Sequence, residues 1–141
     1  GALTKSTVLA FATDRGYEDM GSTWLDVDAD GDQDLYVASG GYEHKVGSSN
    51  LIDRLYINDG QGTFAKSNDA LPVIYESSQC VKSSDIDNDG DLDLVINNIN
   101  QEASVYKNTL DKYCFNSSVL GLFRILTSPL SIILPSSIKI I

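Results

Sequence analysis

The sequence predicts an all-β fold made of two similar four-stranded units, and three observations lead to this prediction. Residues 26–34 and 85–93 each carry five aspartates at alternate positions, with a glycine at the sixth position. The residues that follow, 35–38 and 94–97, are short apolar stretches rich in the residue types that favour strands. The two aspartate stretches lie 59 positions apart and their flanks align, so the chain repeats itself.

Each unit is expected to supply its strands in the same order. One strand precedes the aspartate stretch, a second follows it, and a third carries a Tyr-x-Asn motif at residues 54–58 and 104–108. In the first unit a Gly-containing turn at residues 59–62 leads to a closing strand, and Asp59 and Gly60 are interpreted as structural. Four-stranded repeats of this length are typical of β-propeller blades, of which a closed propeller has about four to eight. The chain is therefore expected to be a fragment of a larger propeller.

The repeat divides the chain into four segments. We expect a partial preceding blade or strand at residues 1–20 and a blade with the first aspartate loop at 21–78. A second, truncated blade with the other loop is expected at 79–112, and an atypical apolar tail at 113–141. The first unit is longer because of a Gly/Ser-rich insertion at residues 40–50, which is predicted to be a surface loop.

The aspartate loops predict two calcium sites. Five carboxylates within nine residues repel one another by roughly 1 kcal/mol per close pair in water, so a cation must compensate them. Carboxylate and carbonyl oxygens suit calcium, whereas zinc or copper would require His or Cys. A solvated Asp-Gly turn is the alternative for one such loop, and the second copy argues against it.

Each position in the loops has a predicted role. The first, third, fifth and ninth residues would bind the ion through side chains, and the seventh through its backbone carbonyl, with Gly31 and Gly90 permitting the turn. The candidate metal-binding residues are Asp26, Asp28, Asp30, Asp32 and Asp34 in the first loop, and Asp85, Asp87, Asp89, Asp91 and Asp93 in the second. An EF-hand would need an acid at position twelve, where Val37 and Ile96 stand.

Residues 21–110 resemble the FG-GAP/VCBS calcium-binding repeats of integrin α-chain propellers and bacterial surface proteins. The stretches Trp-Leu-Asp-Val-Asp-Ala-Asp-Gly-Asp and Arg-Leu-Tyr-Ile-Asn-Asp-Gly-Gln-Gly are especially similar to repeats of secreted proteins with an ASPIC/UnbV domain, including the cartilage acidic protein group. The resemblance implies a β-propeller whose calcium ions brace hairpin loops at one face, with no chemistry of its own.

Charge and ion availability restrict the partners and the location. The net charge is −10, and ten of the twenty acids lie in the two loops, so two bound dications would reduce it to −6. Such an acidic chain without a basic stripe is not expected to bind nucleic acid. Calcium loops of this type suit a secreted, periplasmic or cell-surface protein, because cytosolic calcium is scarce. Cys80 and Cys114 fit no metal motif, and the sequence leaves their pairing open.

The tail changes character, since no acid follows Asp111. Arg124, Pro129 and Pro135 divide its apolar run into pieces shorter than the roughly 20 residues of a transmembrane helix, so no membrane span is expected. Real strands and a frameshifted or artificially translated end both stay open as explanations.

No enzymatic activity is expected. The chain has no GxSxG, P-loop, GxGxxG or HExxH motif, and its one histidine, His44, lies in the insertion. The predicted function is an extracellular calcium-binding propeller module for protein or glycan recognition, with structural calcium and with the remaining blades of a parent protein as partners. Tyr42 is a candidate contact residue. The alternative is a propeller fragment of a polysaccharide lyase or hydrolase, because carboxylate pairs also serve glycosidases.

Overall fold

The computed structural model describes residues 2–3, 8–109 and the strand at 116–117. Its elements are one short helix, one 3-10 helix and eight strands: α1 (Leu9–Thr13), β1 (Asp19–Leu25), β2 (Asp34–Ser39), the 3-10 helix (Ser49–Leu51), β3 (Arg54–Asn58), β4 (Phe64–Ser67), β5 (Ser78–Ser84), β6 (Asp93–Asn98), β7 (Ser104–Lys107) and β8 (Asn116–Ser117).

The strands form two antiparallel sheets in which neighbours in sequence are neighbours in space. The first sheet has the order β1-β2-β3-β4, and the second has the order β5-β6-β7 with the two-residue β8 at its edge. This arrangement confirms the prediction of an all-β fold built from propeller-type blades. The segment boundaries at residues 21–78 and 79–112 stay predictions.

The core lies between the two sheets. Side chains alternate across a strand, so Tyr36 and Ala38 of β2 face the second sheet while Leu35 and Val37 face away. From the second sheet, Leu94 and Ile96 of β6 pack into the same cluster and are almost fully buried. The fold therefore depends on contact between the two units, because each sheet buries one apolar face against the other.

The segment before β1 contains a helix at residues 9–13, and the assignment of residues 1–20 to a partial blade or strand stays a prediction. Ala and Leu favour the helical conformation, and Phe11 anchors the turn by an edge-to-face contact with Tyr56 at 5.0 Å between ring centroids. Two backbone hydrogen bonds repeat at the 59-residue interval: Gly40 N–H donates to the Glu18 carbonyl at 3.0 Å, and Ile99 N–H donates to that of Ser77 at 2.8 Å. The segment before β1 thus takes the place that the inter-sheet linker takes before β5.

The insertion at residues 40–50 is an irregular loop that runs into the 3-10 helix. Its start lies tightly against the second unit, since a Cβ at Gly40 would collide with the Ser78 carbonyl oxygen. Gly41 N–H also donates to Ser77 Oγ at 2.9 Å. Tyr42 projects outward with 80% of its surface exposed.

Much of the C-terminal tail lies outside the described residues, as do the predictions made for it, including the fate of Cys114. Of residues 113–141, the structure describes only the backbone strand β8. Within the described part of the chain, no helix is long and apolar enough to cross a membrane.

A partly buried carboxylate joins the two sheets. Asp53, in the turn before β3, accepts hydrogen bonds from Ser39 N–H at 2.7 Å, from the Tyr36 hydroxyl at 2.6 Å and from the Ser78 hydroxyl at 2.8 Å. Ser78 begins β5, so this carboxylate links one unit to the next. Burial raises the pKa of Asp53, although these three donors oppose the shift.

We predict that Asp53 makes the free energy of unfolding depend on pH. Its folded-state pKa lies above the ordinary value of 3.8, so ionisation costs more in the folded chain than in the unfolded one. The contribution of Asp53 is therefore present below about pH 4 and is lost as pH rises through its folded-state pKa. Asp53→Asn cannot ionise, so the deficit in unfolding free energy of this variant should shrink between about pH 4 and pH 7 in urea titrations. A deficit that stays constant over this range would contradict the prediction.

Candidate metal centres

Both aspartate loops lie at the same place in their sheets, the connection between the first and second strands. Residues 26–33 join β1 to β2, and residues 85–92 join β5 to β6. Each loop ends on an aspartate, Asp34 or Asp93, that is already the first residue of the next strand. The loops are therefore the tips of antiparallel hairpins, as the sequence predicts.

Each loop turns through two residues with positive φ. The predicted glycines are among them, with φ of 95° at Gly31 and 100° at Gly90. The fourth position also adopts the left-handed conformation, with φ of 58° at Ala29 and 60° at Asn88. Sequence reasoning missed this position, although asparagine tolerates the left-handed region and Asn88 was a signal for it.

The carboxylates of the first and fifth aspartates accept hydrogen bonds from backbone amides of their own loops. In the first loop, Asp26 accepts from Asp30 N–H at 3.1 Å and from Gly31 N–H at 3.0 Å. In the second loop, Asp85 accepts from Gly90 N–H at 3.2 Å. The fifth aspartates, Asp30 and Asp89, accept from the amide two residues later at 2.9 and 3.0 Å. These bonds hold the carboxylates inside the curve of the backbone.

The ninth aspartate fastens each loop to the third strand of its sheet. Asp34 is fully buried and accepts from Val27 N–H at 2.9 Å and from Asn58 N–H at 2.8 Å. Asp93 repeats this arrangement in the second unit, with Ile86 N–H at 3.0 Å and Asn108 N–H at 2.8 Å. Burial raises the pKa of Asp34, and the two amide donors act against that shift.

The side chain of the asparagine in the Tyr-x-Asn motif also donates a hydrogen bond to an aspartate loop. Asn58 Nδ2 donates to the Gln33 carbonyl at 3.2 Å, at the end of its own loop. Asn108 Nδ2 instead donates to the Val27 carbonyl at 3.2 Å, which lies in the loop of the other unit. The second unit is thus hydrogen-bonded directly to the first aspartate loop.

Carboxylate oxygens converge in both loops. One carboxylate oxygen from each of Asp26, Asp28 and Asp34 lies within 4.8 Å of the other two, and the same holds for Asp85, Asp87 and Asp89. Two oxygens bound to one calcium ion at about 2.3–2.6 Å can be at most about 5 Å apart, so both sets are close enough to share an ion.

Three oxygens in these clusters have buried positions and no hydrogen-bond partner: Oδ1 of Asp28, of Asp85 and of Asp87. A buried acceptor without a donor costs about 1–3 kcal/mol, and more when it is charged. Burial and the nearby charges of Asp30 and Asp26 raise the pKa of Asp28, so its negative charge is poorly compensated by the protein. The residues therefore fit a hard cation, which would supply the missing positive charge.

The remaining predicted ligands lie outside the two clusters. Asp30 is not part of the first, Asp93 is not part of the second, and the side chains of Asp32 and Asp91 belong to neither. The Asp32 carboxylate lies against Gly60, where a Cβ would collide with it. Burial, followed by the charges of the four other loop aspartates, raises the pKa of Asp91. Main-chain coordination by Asp32 and Asp91 stays a prediction.

The turn at Asp59 has the structural role that the sequence suggested. Asp59 Oδ1 accepts from Gln61 N–H and Thr63 N–H, both at 2.9 Å. These two amide donors lower the pKa of the Asp59 carboxyl group. Asp59 therefore closes the β3–β4 hairpin through backbone hydrogen bonds.

One ligand candidate is engaged by a lysine. Lys107 Nζ lies 2.7 Å from Asp87 Oδ2, and this hydrogen bond lowers the pKa of Asp87. Sequence reasoning missed this contact. The available signal was the alignment of the two Tyr-x-Asn motifs, in which Lys107 occupies the position that Ile57 has in the first unit. A lysine therefore precedes the motif asparagine in the second unit only.

The chain matches the model of a known repeat family. The family model for FG-GAP-like repeats matches residues 26–96, which is half of the 141-residue chain. The match begins at the first aspartate of the first loop and ends on β6, so it includes both loops. The search of curated proteins and the search of solved structures found no match.

We predict that Asp34→Ala destabilises the chain even when calcium is absent. The substitution leaves the amides of Val27 and Asn58 without their acceptor, which should lower the free energy of unfolding by about 2–4 kcal/mol. Asp30→Ala removes the same charge from an exposed position in the same loop and should cost less than about 1 kcal/mol. Urea unfolding in the presence of a chelator measures both, and equal losses would contradict the bracing role of Asp34.

Proposed function

Because the chain belongs to the family of FG-GAP-like repeats, we propose that it is a calcium-binding pair of propeller blades with a structural role for the ion. The observation that carries this proposal is that Oδ1 of Asp28 and Oδ1 of Asp87, at the equivalent third position of the two hairpin tips, are buried without a hydrogen-bond partner, as is Oδ1 of Asp85. Calcium would neutralise them and hold the loop between the first two strands. The ligands would come from Asp26, Asp28 and Asp34 in the first loop and from Asp85, Asp87 and Asp89 in the second, with the other loop aspartates completing each site.

We further propose that the blades pack beside others of the same kind. The outward face of the first sheet carries Leu35 and Tyr56, which correspond to Leu94 and Tyr106 on the face of the second sheet that receives the first. Trp24, on the same outward face, is 51% exposed. Phe11 already packs against Tyr56, so a further blade would cover the rest of this face around Trp24, which supports the interpretation as part of a larger propeller.

The proposed role of the module is recognition of a protein or a glycan outside the cytosol, without catalysis. Tyr42 supports this role, because an exposed aromatic ring on a loop can bind a partner at low entropic cost. Aspartates that bind calcium would not be available as acid and base. Turnover of a polysaccharide by the calcium-loaded chain would contradict the non-catalytic role.

The calcium proposal predicts two ions per chain and stabilisation by mass action. Free calcium at one hundred times the dissociation constant should raise the free energy of unfolding by about 2.7 kcal/mol per site. Asp28→Ala and Asp87→Ala should each remove one ion in isothermal titration calorimetry, and the double variant should bind none. Asp69→Ala, which removes an exposed carboxylate outside the loops, is the matched control and should bind two.

Two results would contradict this proposal. The first is a wild-type chain that binds no calcium or whose thermal unfolding is unaffected by it. The second concerns location: extracellular modules bind calcium with dissociation constants of about 10⁻⁴–10⁻³ M, so micromolar or tighter binding would fit a cytosolic sensor instead.

The recognition role predicts a ligand that depends on Tyr42. The calcium-loaded chain should retain partners on a glycan array or on immobilised extracellular proteins. Tyr42→Ala should weaken that binding by at least about 1 kcal/mol, and Tyr75→Ala, which truncates another exposed tyrosine outside the insertion, should not. No retained ligand, or equal effects of the two substitutions, would contradict the role.

A further inference from the structure

The second aspartate loop contains a cation supplied by the protein itself. Lys107 is the last residue of β7, and its ammonium nitrogen lies 2.7 Å from Asp87 Oδ2. The pair is sheltered from solvent, with 25% of the lysine side chain and 19% of the aspartate side chain exposed. The hydrogen bond to Asp87 raises the pKa of Lys107, and the charges of Asp93 and Asp89 act in the same direction.

The strand register explains why this lysine faces the loop. Asn108 is fastened to the loop through its amide, which donates to Asp93 Oδ1 at 2.8 Å, and Lys107 immediately precedes it. Tyr106 points into the core between the sheets, so Lys107 lies on the opposite face of the strand. The position of Lys107 is therefore set by the hydrogen bonds of Asp93, which also hold the loop.

The first unit has the same hydrogen bonds to the ninth aspartate but no lysine beside them. Asn58 N–H donates to Asp34 Oδ1 at 2.8 Å, and the residue before it is the neutral Ile57. Among the described residues, the ion pairs of the structure bring no Lys or Arg to an aspartate of the first loop. The two loops thus share backbone geometry and differ in charge.

We propose that Lys107 is a built-in counter-ion that weakens calcium binding at the second loop, so that the first loop is filled at a lower calcium concentration. The inference rests on the proposed calcium-binding function. A dication in the second loop would bind Asp87 through Oδ1 while Lys107 already compensates the same carboxylate through Oδ2, and it meets a positive charge a few ångströms away. In the first loop, the described ion pairs place no protein cation on a ligand carboxylate or near the ion.

The difference also gives the second loop a way to fold before calcium arrives. Lys107 compensates one of its five carboxylates, whereas the first loop has no such compensation within the described ion pairs. The first loop therefore depends more on the ion, and the chain acquires two sites that respond over different concentration ranges.

The test compares the second loop with and without the lysine. Asp28→Ala silences the first loop, and Lys107→Ile is then introduced to copy the residue of the first unit. Calcium titration by calorimetry should show binding to Asp28→Ala/Lys107→Ile that is roughly tenfold tighter, or more, than binding to Asp28→Ala alone. Lys107→Gln in the same background should give the same direction, and it guards against a folding failure of the isoleucine variant.

Two matched substitutions control for net charge. Lys107→Arg keeps the cation and should leave the affinity within about threefold of its parent. Lys82→Ile removes an exposed lysine from β5, away from the described ion pairs, and should change the affinity by less than about twofold.

The possible results separate this inference from the function on which it rests. Calcium bound equally well with and without Lys107 overturns the counter-ion role while the calcium function stands. Equal tightening by Lys82→Ile also overturns it, because net charge would then be the cause. Calcium bound by neither loop in any variant overturns both proposals.

Discussion

Each blade depends on a buried carboxylate at the start of its second strand. Asp34 and Asp93 accept one amide from their own loop and one from the end of the third strand. A buried acceptor pair of this kind fixes the distance between the loop and the sheet, because either amide left unpaired would cost about 1–3 kcal/mol. The hairpin tip, the Tyr-x-Asn strand and the aspartate cluster are therefore held together by the same hydrogen bonds.

The burial of Asp34 and Asp93 also leaves negative charge that a cation would compensate. It places a carboxylate in the protein interior and brings others close to it, so that buried oxygens such as Asp28 Oδ1 have no donor. The two loops answer the problem differently. The second contains an internal ammonium group at Lys107, while the first has Ile57 at the corresponding place.

The contact between the sheets uses the same parts of the chain. Asn108 reaches across to the Val27 carbonyl in the first loop, and Asp53 reaches from the first unit to Ser78 at the start of the second. Polar links at both places accompany the apolar core around Tyr36 and Leu94. Stability of a loop and packing between units are therefore physically coupled.

The features that repeat in sequence were the ones that could be predicted. Alternating aspartates around Gly31 and Gly90 identified the hairpin tips, since glycine is needed where φ is positive, and the Tyr-x-Asn motif identified the third strand. The helix at residues 9–13 was not predicted, because it depends on the contact of Phe11 with Tyr56, far away in sequence. Contacts such as Lys107 with Asp87 depend on strand register, which the pattern of residue types does not specify.

The central claim is that oxygens left without donors in the two hairpin tips are there to bind calcium. A crystal structure determined from crystals grown with calcium tests this most directly. We expect an anomalous peak in each loop, within about 2.6 Å of Asp28 Oδ1 in the first and of Asp87 Oδ1 in the second. Ordered loops in which water molecules or protein donors occupy both positions at millimolar calcium would contradict the account.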